Sequence, residues 1–398
     1  MNPYLQDLHP YPFQKLNQLK AKVTPTADRE PIMLSIGEPK HSAPEFVKQA
    51  LQQSLDDLAK YPSTRGDIGL RETIASWLEK RYKLPTIDPE THILPVAGTR
   101  EALFAFTQSL IDNSGAHKPL VACQNPFYQI YEGAAILAGA EPYYLNCTAD
   151  NGFKPDLSVV PANIWQRCQL LQLCSPGNPS GAILTLEDYK QALALADKYD
   201  FVIANDECYS EIYFDEQNPP LGLLDACRQL GRDNYQRCIV FHSLSKRSNL
   251  PGLRSGFVAG DKQLIAGFYN YRTYHGCALS LPVQNASIAA WQDESHVVAN
   301  RQLYRQKFAV VTSILDGVLP FSMPEASFYL WPQTPIDDTQ FARDLYRHEN
   351  LTVLPGQYLS RPTNNGNPGY QRIRLALVAS VDECAEAAKR ILRFVHRL

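Results

Sequence analysis

A chain of 398 residues, 44% hydrophobic and 20% charged, is long enough to bury a sizeable core and to form two domains. With 38 basic against 41 acidic side chains its formal net charge is -3, which excludes the broad basic surface that nonspecific nucleic-acid binding needs. There is no run of about 18 apolar residues to cross a membrane, and the start, Met1-Asn-Pro-Tyr-Leu-Gln-Asp7, lacks the basic and apolar regions of a signal peptide, so a cytoplasmic location is expected. Nine cysteines without a Cys-x-x-Cys pair or a metal-like cluster with histidine suit a reducing compartment; neither a disulfide nor a bound metal is expected.

In chain order, the first 40 residues hold Pro3, Pro10, Pro12, Pro25, Pro31 and Pro39, too many for a continuous helix. They read as an arm with one short helix near 13–22, followed by an apolar stretch, Ile32 to Ile36, fit to be buried. Apolar runs at 119–123, 169–174, 201–205, 238–243 and 254–259 then alternate with helical periodicity at 99–112, 128–138 and 187–199, the rhythm of an α/β sheet. A long helical stretch from about Pro282 to Leu315 leads out of this region, and the chain ends in an apolar strand, Ile373 to Val378, and an amphipathic helix from about Val381. The expected division is an arm and part of a small domain at 1–45, a large domain at 46–285 and a small carboxyl-terminal domain at 286–398.

In α/β sheets the ligand sits beyond the carboxyl ends of the strands. Three of the apolar runs lead directly into residues with chemistry: Asn178 in Cys174-Ser-Pro-Gly-Asn-Pro-Ser-Gly181, Asp206 and Tyr209 in Val202-Ile-Ala-Asn-Asp-Glu-Cys-Tyr209, and Lys246 in Ser243-Leu-Ser-Lys-Arg-Ser-Asn-Leu-Pro-Gly-Leu-Arg254. A lysine forms an imine with an aldehyde, and Ser243, Ser245 and Arg254 supply donors for a phosphate, so an aldehyde bearing a phosphate, pyridoxal 5'-phosphate, is the ligand this set suits. A lone lysine at a strand end is usually just solvated; the three stretches together argue otherwise. Gly98, Thr99 and Arg100, at the start of a helix, add a flexible backbone, a hydroxyl and exposed amides for an anion. Without Gly-Lys-[Ser/Thr] this is not a nucleotide-binding Walker loop.

The order Asn-Pro-x-Gly, Asp-x-x-Tyr, then Ser-x-Ser-Lys with an arginine eight positions on resembles the class I and II aminotransferases, the fold type I enzymes dependent on pyridoxal phosphate, over nearly the whole chain. The resemblance implies a large domain with a mixed, mostly parallel sheet plus a smaller α/β domain. It implies that Lys246 tethers the cofactor and moves the proton, that Asp206 rather than the adjacent Glu207 pairs with the ring nitrogen, and that Asn178 and Tyr209 bond the ring's phenolate oxygen. Tyr128, in Pro126-Phe-Tyr-Gln-Ile-Tyr131, matches the residue that stacks on the ring. Gln129 stands where the family has a second proline, which leaves Phe127 open as the stacker. Gly37 in Ser35-Ile-Gly-Glu-Pro39 matches a glycine that approaches substrate, and Tyr61 matches a tyrosine lent to the phosphate of a partner subunit, implying a homodimer with shared sites. Arg374 matches the arginine for the substrate α-carboxylate, with Arg372 two residues away as the other candidate.

The opening Asn2 to Phe13 and Leu34 to His41 look closest to the bacterial N-succinyldiaminopimelate aminotransferases of lysine biosynthesis, with glutamate as donor. Further cations for such a long, carboxylate-ended substrate would come from Lys40, Arg100 or Arg372. Other class I aminotransferases acting on aspartate, alanine or aromatic substrates share the same cofactor residues, as do lyases on this scaffold. A non-catalytic regulator is disfavoured by the intact lysine. Ser243-x-x-Lys246 also reads as the serine motif of penicillin-binding enzymes, but no Lys-Thr-Gly or Lys-Ser-Gly accompanies it.

Overall fold

The computed structural model describes residues 1–85 and 87–398. Seven strands form one sheet: β1 (Ile93–Val96), β2 (Leu120–Asn125), β3 (Glu141–Asn146), β4 (Cys168–Cys174), β5 (Val202–Asp206), β6 (Cys238–Ser243) and β7 (Gly256–Gly260). Their spatial order is β1-β7-β6-β5-β4-β2-β3, and β7 alone runs antiparallel to both its neighbours. The strands are covered on both faces, so most read as continuous apolar runs rather than alternating ones. Ile203 and Val240 meet Leu78 and Leu193 on one side, whereas Ala204, Ile239 and Phe241 meet Phe106, Ala135 and Phe268 on the other.

A second group of elements gathers the two ends of the chain. Ile32–Met33 pairs in parallel with Leu351–Thr352, and Leu354–Pro355, Ile373–Ala376 and Tyr329–Leu330 form a small antiparallel sheet. Its core includes Phe308, Leu345, Leu375 and Ile391 from three helices and a strand. The carboxyl-terminal helix, Val381–Val395, begins with a reciprocal cap between Ser380 and Glu383.

Most expected elements appear with edges moved by one to three residues. The arm helix runs Pro12–Lys20, and the last strand of the large sheet starts at Gly256 because Arg254 sits in the left-handed region at φ 54. The long helix expected over 282–315 is instead two, Leu281–Gln292 and Ser295–Leu315. Asp293 between them is extended, and its carboxylate accepts from Ser295 Oγ (2.7 Å) and the His296 N–H (2.9 Å), starting a new helix rather than continuing the old one. The edge strand β3 has no continuous apolar run to betray it, since its Glu141 end is exposed. Among the described residues no helix is long and apolar enough to cross a membrane.

Candidate active site

The ends of β4, β5 and β6 open into a cleft of about 360 Å³, closed from above by the amino-terminal arm and the small sheet. Asn178, Asp206, Tyr209, Ser243, Ser245, Lys246, Arg254, Thr99, Arg100, Tyr128, Gly37 and Arg374 all line it. A larger cavity, about 700 Å³ between the helices Ile68–Tyr82 and Leu281–Gln292, holds none of these groups.

Lys246 sits in a single helical turn, Leu244–Arg247, whose cap is Ser243: its Oγ accepts the Ser245 N–H at 3.1 Å. The Lys246 Nζ donates to the Gly37 carbonyl at 2.6 Å and lies 5.6 Å from the centre of the Phe328 ring. Burial disfavours the ammonium and lowers its pKa to about 8. The free amine is the nucleophile, so its reactivity grows as pH rises through the pKa. Reductive trapping of a small aldehyde on Lys246 of the cofactor-free protein is therefore expected to rise steeply around pH 8, as read by peptide mass spectrometry. A rise centred near pH 10 would mark an ordinary lysine.

Asp206 is 4% exposed. Its carboxylate accepts from Tyr131 Oη (2.8 Å) and the Cys208 N–H (3.2 Å), and it forms no ion pair among the described residues. Burial raises its pKa. Glu207 next to it is spent elsewhere: it accepts from Asn205 Nδ2 and the Leu223 N–H (both 2.8 Å) and from Tyr82 Oη (3.0 Å), and lies 3.1 Å from His242 Nε2. Successive residues at the end of a strand point to opposite sides, so only Asp206 faces the cleft.

Arg374 is buried, with Nη1 donating to Asn178 Oδ1 (3.0 Å) and Nη2 to the Ser35 carbonyl (2.9 Å), while its guanidinium lies 4.4 Å from the Tyr329 ring centre. Its Nε has no protein partner among the described residues. Arg372 does not join it: Nη1 donates to the Trp331 carbonyl (3.1 Å) and the guanidinium stacks over Phe153. It sits just before the strand Ile373–Ala376, bridged to Gln333, and its side chain is drawn to Trp331 and Phe153 instead of into the cleft. Tyr209 meets Tyr329 hydroxyl to hydroxyl at 3.0 Å. Gly37 has to be glycine, because a Cβ there would lie 2.0 Å from the Tyr329 hydroxyl.

At the other end of the cleft Gly98 has φ 89, and a Cβ on it would lie 2.2 Å from Arg254 Nη2. The arginine thus rests on backbone at the start of the helix Thr99–Leu110, whose first amides have no side-chain cap. This is a seat for an anion: a fixed cation over open N–H groups. Thr99 Oγ1 lies 3.1 Å from Cys208 Sγ beside it.

Of the two aromatic candidates, Tyr128 reaches the cleft and Phe127 does not. Phe127 is 1% exposed and stacks on Tyr144 at 5.4 Å, whereas Tyr128 packs edge-on against Tyr131 and accepts from Arg100 Nε at 2.6 Å. Tyr61 is fully exposed and outside the cleft, and Lys40 is exposed and outside it too. Tyr11, Tyr131, Cys208 and Tyr329 belong to the site as well, without a role assigned to them from the sequence. Tyr131 had a signal, three residues from Tyr128 on one helical face; Tyr329, within the apolar Phe328-Tyr-Leu-Trp331, had none.

These residues fit pyridoxal phosphate. A buried carboxylate without a cation suits a pyridinium, an amine of lowered pKa suits an aldehyde, and the Arg254–Gly98 seat suits a phosphate. Comparison with known proteins agrees. The chain is 30% identical over 395 residues to an LL-diaminopimelate aminotransferase of Nitratidesulfovibrio vulgaris, spanning 98% of this chain and 97% of that one. Among solved structures, an aminotransferase from Neisseria meningitidis is 50% identical with a TM-score of 0.95, covering 99% of both chains. A probable N-succinyldiaminopimelate aminotransferase from Thermus thermophilus is 26% identical with a TM-score of 0.84, covering 96% of this chain and 99% of that one. The family profile described as aminotransferase class I and II matches residues 29–391, so the chain belongs to that family, with its fold type I architecture and pyridoxal 5'-phosphate as its cofactor.

Proposed function

We propose that this aminotransferase exchanges the amino group of glutamate with the oxo group of an N-succinylated diaminopimelate skeleton, a step of lysine biosynthesis. The reaction type is carried by one observation: Lys246, Asp206 and Arg374 converge on a single cleft. The substrate reading is supported by relatives named for diaminopimelate and by the Thermus protein named for its succinylated form. Relatives named for LL-diaminopimelate itself also favour the unsuccinylated compound as a second reading.

When bound, pyridoxal phosphate supplies a protonated conjugated ring that accepts the electron pair of the substrate Cα–H bond. Lys246 would tether the cofactor's aldehyde carbon through Nζ and, as a free amine, would hold and move a proton at that same atom. Asp206 would keep the ring nitrogen protonated, Asn178 and Tyr209 would donate to the ring oxygen, and Tyr128 would cover the ring face. Ser243, Ser245, Arg254, the amides of Gly98, Thr99 and Arg100, and Tyr61 from a second copy of the chain would hold the phosphate. The full exposure of Tyr61 supports that homodimer. Gly37 gives the substrate its close approach, and Arg374 grips the α-carboxylate with a planar fork.

Arg374→Lys keeps the charge but not the two-point geometry, so kcat/KM is expected to fall about 100-fold for every amino donor, with cofactor affinity little changed. Steady-state kinetics beside a cofactor titration check this; a parallel loss of cofactor would move Arg374 to another role. The reaction itself is tested by recording cofactor absorbance on mixing the holoenzyme with a panel of amino acids and oxo acids, including succinylated and free LL-diaminopimelate. A higher kcat/KM for the free form favours the second reading, and no response to either compound or to glutamate removes both.

A further inference from the structure

The helix Ser295–Leu315 carries Asn300, Tyr304 and Lys307 on one face, spaced at i, i+4 and i+7. Lys307 is 1% exposed and forms no ion pair among the described residues. Its Nζ meets His41 Nε2 at 2.5 Å and the Val378 carbonyl at 3.3 Å, and lies 4.9 Å from the centre of the Tyr304 ring. Burial lowers its pKa to about 8. A buried amine without a carboxylate is costly, so the group it holds in place is informative.

That group is His41. Its other ring nitrogen, Nδ1, lies 2.7 Å from Asn300 Oδ1, which also accepts from Asn249 Nδ2 at 3.0 Å. Asn300 Nδ2 in turn donates to the Lys246 and Arg247 carbonyls, at 3.3 and 3.4 Å. The direction of every link follows from the two ends. Backbone carbonyls only accept, so Asn300 gives them its amide hydrogens and shows His41 its oxygen. His41 Nδ1 then carries the ring hydrogen and Nε2 is left as an acceptor, which the Lys307 amine satisfies.

This chain of side chains ties three segments together. Val378 lies four residues beyond Arg374, and His41 four residues beyond Gly37 with the buried Pro39 between them. Gly37 supplies the carbonyl that accepts from Lys246 Nζ, and the third segment is the Lys246 turn itself. Lys307, His41 and Asn300 do not line the cleft, so they act through Lys246 and not on substrate. We propose that His41, held in one tautomer by Lys307 and tied through Asn300, is a positioning residue for proton transfer, fixing the Gly37 carbonyl against the Lys246 turn so that the free Nζ stays aimed into the cleft. This rests on the reading of Lys246 as the group that moves the proton.

Two variants separate the polarity of the chain from its bulk. Lys307→Met fills the space without a donor, whereas Lys307→Gln keeps an N–H for His41. In the full chain without cofactor, NMR of isotope-labelled histidines is expected to find His41 Nε2 without a hydrogen in wild type and Lys307→Gln, and with one in Lys307→Met. In the holoenzyme, single-turnover reaction with L-glutamate and its α-deuterated form is followed by cofactor absorbance. The maximal rate is expected to fall about 10-fold in Lys307→Met, with half-saturation within about threefold of wild type and a larger deuterium isotope effect. Lys307→Gln should recover most of that rate. His41→Leu interrupts the chain at its middle; it should match the methionine variant in rate and serves if that protein does not fold. A maximal rate within about threefold of wild type in the folded variants overturns the proposal. So does a His41 ring unchanged in Lys307→Met, or a fall in rate matched by equal losses in half-saturation and cofactor affinity, which marks plain structural damage. Deuterium-sensitive turnover kept by Lys246→Ala sinks the reading of Lys246 as proton carrier while leaving the His41 tautomer as described, which separates the two failures.

Discussion

Lys246→Ala is expected to abolish transamination, lowering kcat by at least about 10³-fold, because on the proposed roles it removes the tether and the group that would move the proton at one stroke. Cofactor should still associate weakly, since Asp206 and the Arg254–Gly98 seat remain. The fold should tolerate the change. The variant loses the hydrogen bond from Nζ to the Gly37 carbonyl, worth about 1 kcal/mol, but it also no longer buries an amine whose charged form the site disfavours. That second effect has a pH dependence with a definite sign. An ordinary lysine in the unfolded chain stays protonated to about pH 10, whereas the folded group releases its proton near 8. The unfolded state therefore binds more protons between those values, and this group's burden on stability is full below pH 8 and fades as pH rises. Thermal unfolding of the cofactor-free proteins should thus favour the alanine variant most at neutral pH. The decisive measurement is borohydride treatment: wild type should become permanently labelled at the Lys246 peptide and the variant should not. Normal turnover by Lys246→Ala would refute the assignment.

Much of this site was legible because its residues lie at the ends of strands whose apolar runs are continuous. A buried parallel strand announces itself, and the first polar residue after it is already at the ligand-binding edge. Asn178, Asp206 and Lys246 were readable for that reason. The choice between Asp206 and Glu207 was not readable from charge. It follows from the pleat at the end of β5 and from Tyr82, Asn205 and His242, which occupy Glu207 from 125, 2 and 35 residues away in sequence. Spacing alone could not separate Arg372 from Arg374 either: Arg372 is taken by the Trp331 carbonyl and the Phe153 ring, whereas Arg374 reaches Asn178 and the Ser35 carbonyl. Tyr11 and Tyr329 were invisible because each enters the cleft from a different layer, and nothing local distinguishes a tyrosine that fills a core from one that offers its hydroxyl to a site. The break at Asp293 was missed because the residues on both sides keep good helical periodicity, and one capping carboxylate overrides it.

Asp206→Asn should separate stability from function. The wild-type carboxylate is buried with a tyrosine and one amide as partners and no cation, so the folded protein without cofactor holds it at a cost, visible as a raised pKa. A raised carboxylate pKa means the folded state binds the proton more tightly than the unfolded chain, so the penalty is absent at low pH and full above the folded value. Asparagine is neutral at every pH and nearly the same size. The cofactor-free variant is therefore expected to be at least as stable as wild type at pH 7 to 8, with the difference vanishing under acid. With cofactor the order reverses. On the proposed pairing a ring cation would no longer meet a buried counter-charge, a loss of about 3 kcal/mol or roughly 150-fold in affinity, with kcat falling at least as far because the ring nitrogen would no longer be held protonated. The rise in unfolding temperature on adding pyridoxal phosphate, large in wild type, should shrink correspondingly in the variant. A variant less stable than wild type without cofactor, yet equally stabilised by it, would make Asp206 a structural cap on β5 and leave the ring nitrogen without a partner in this cleft.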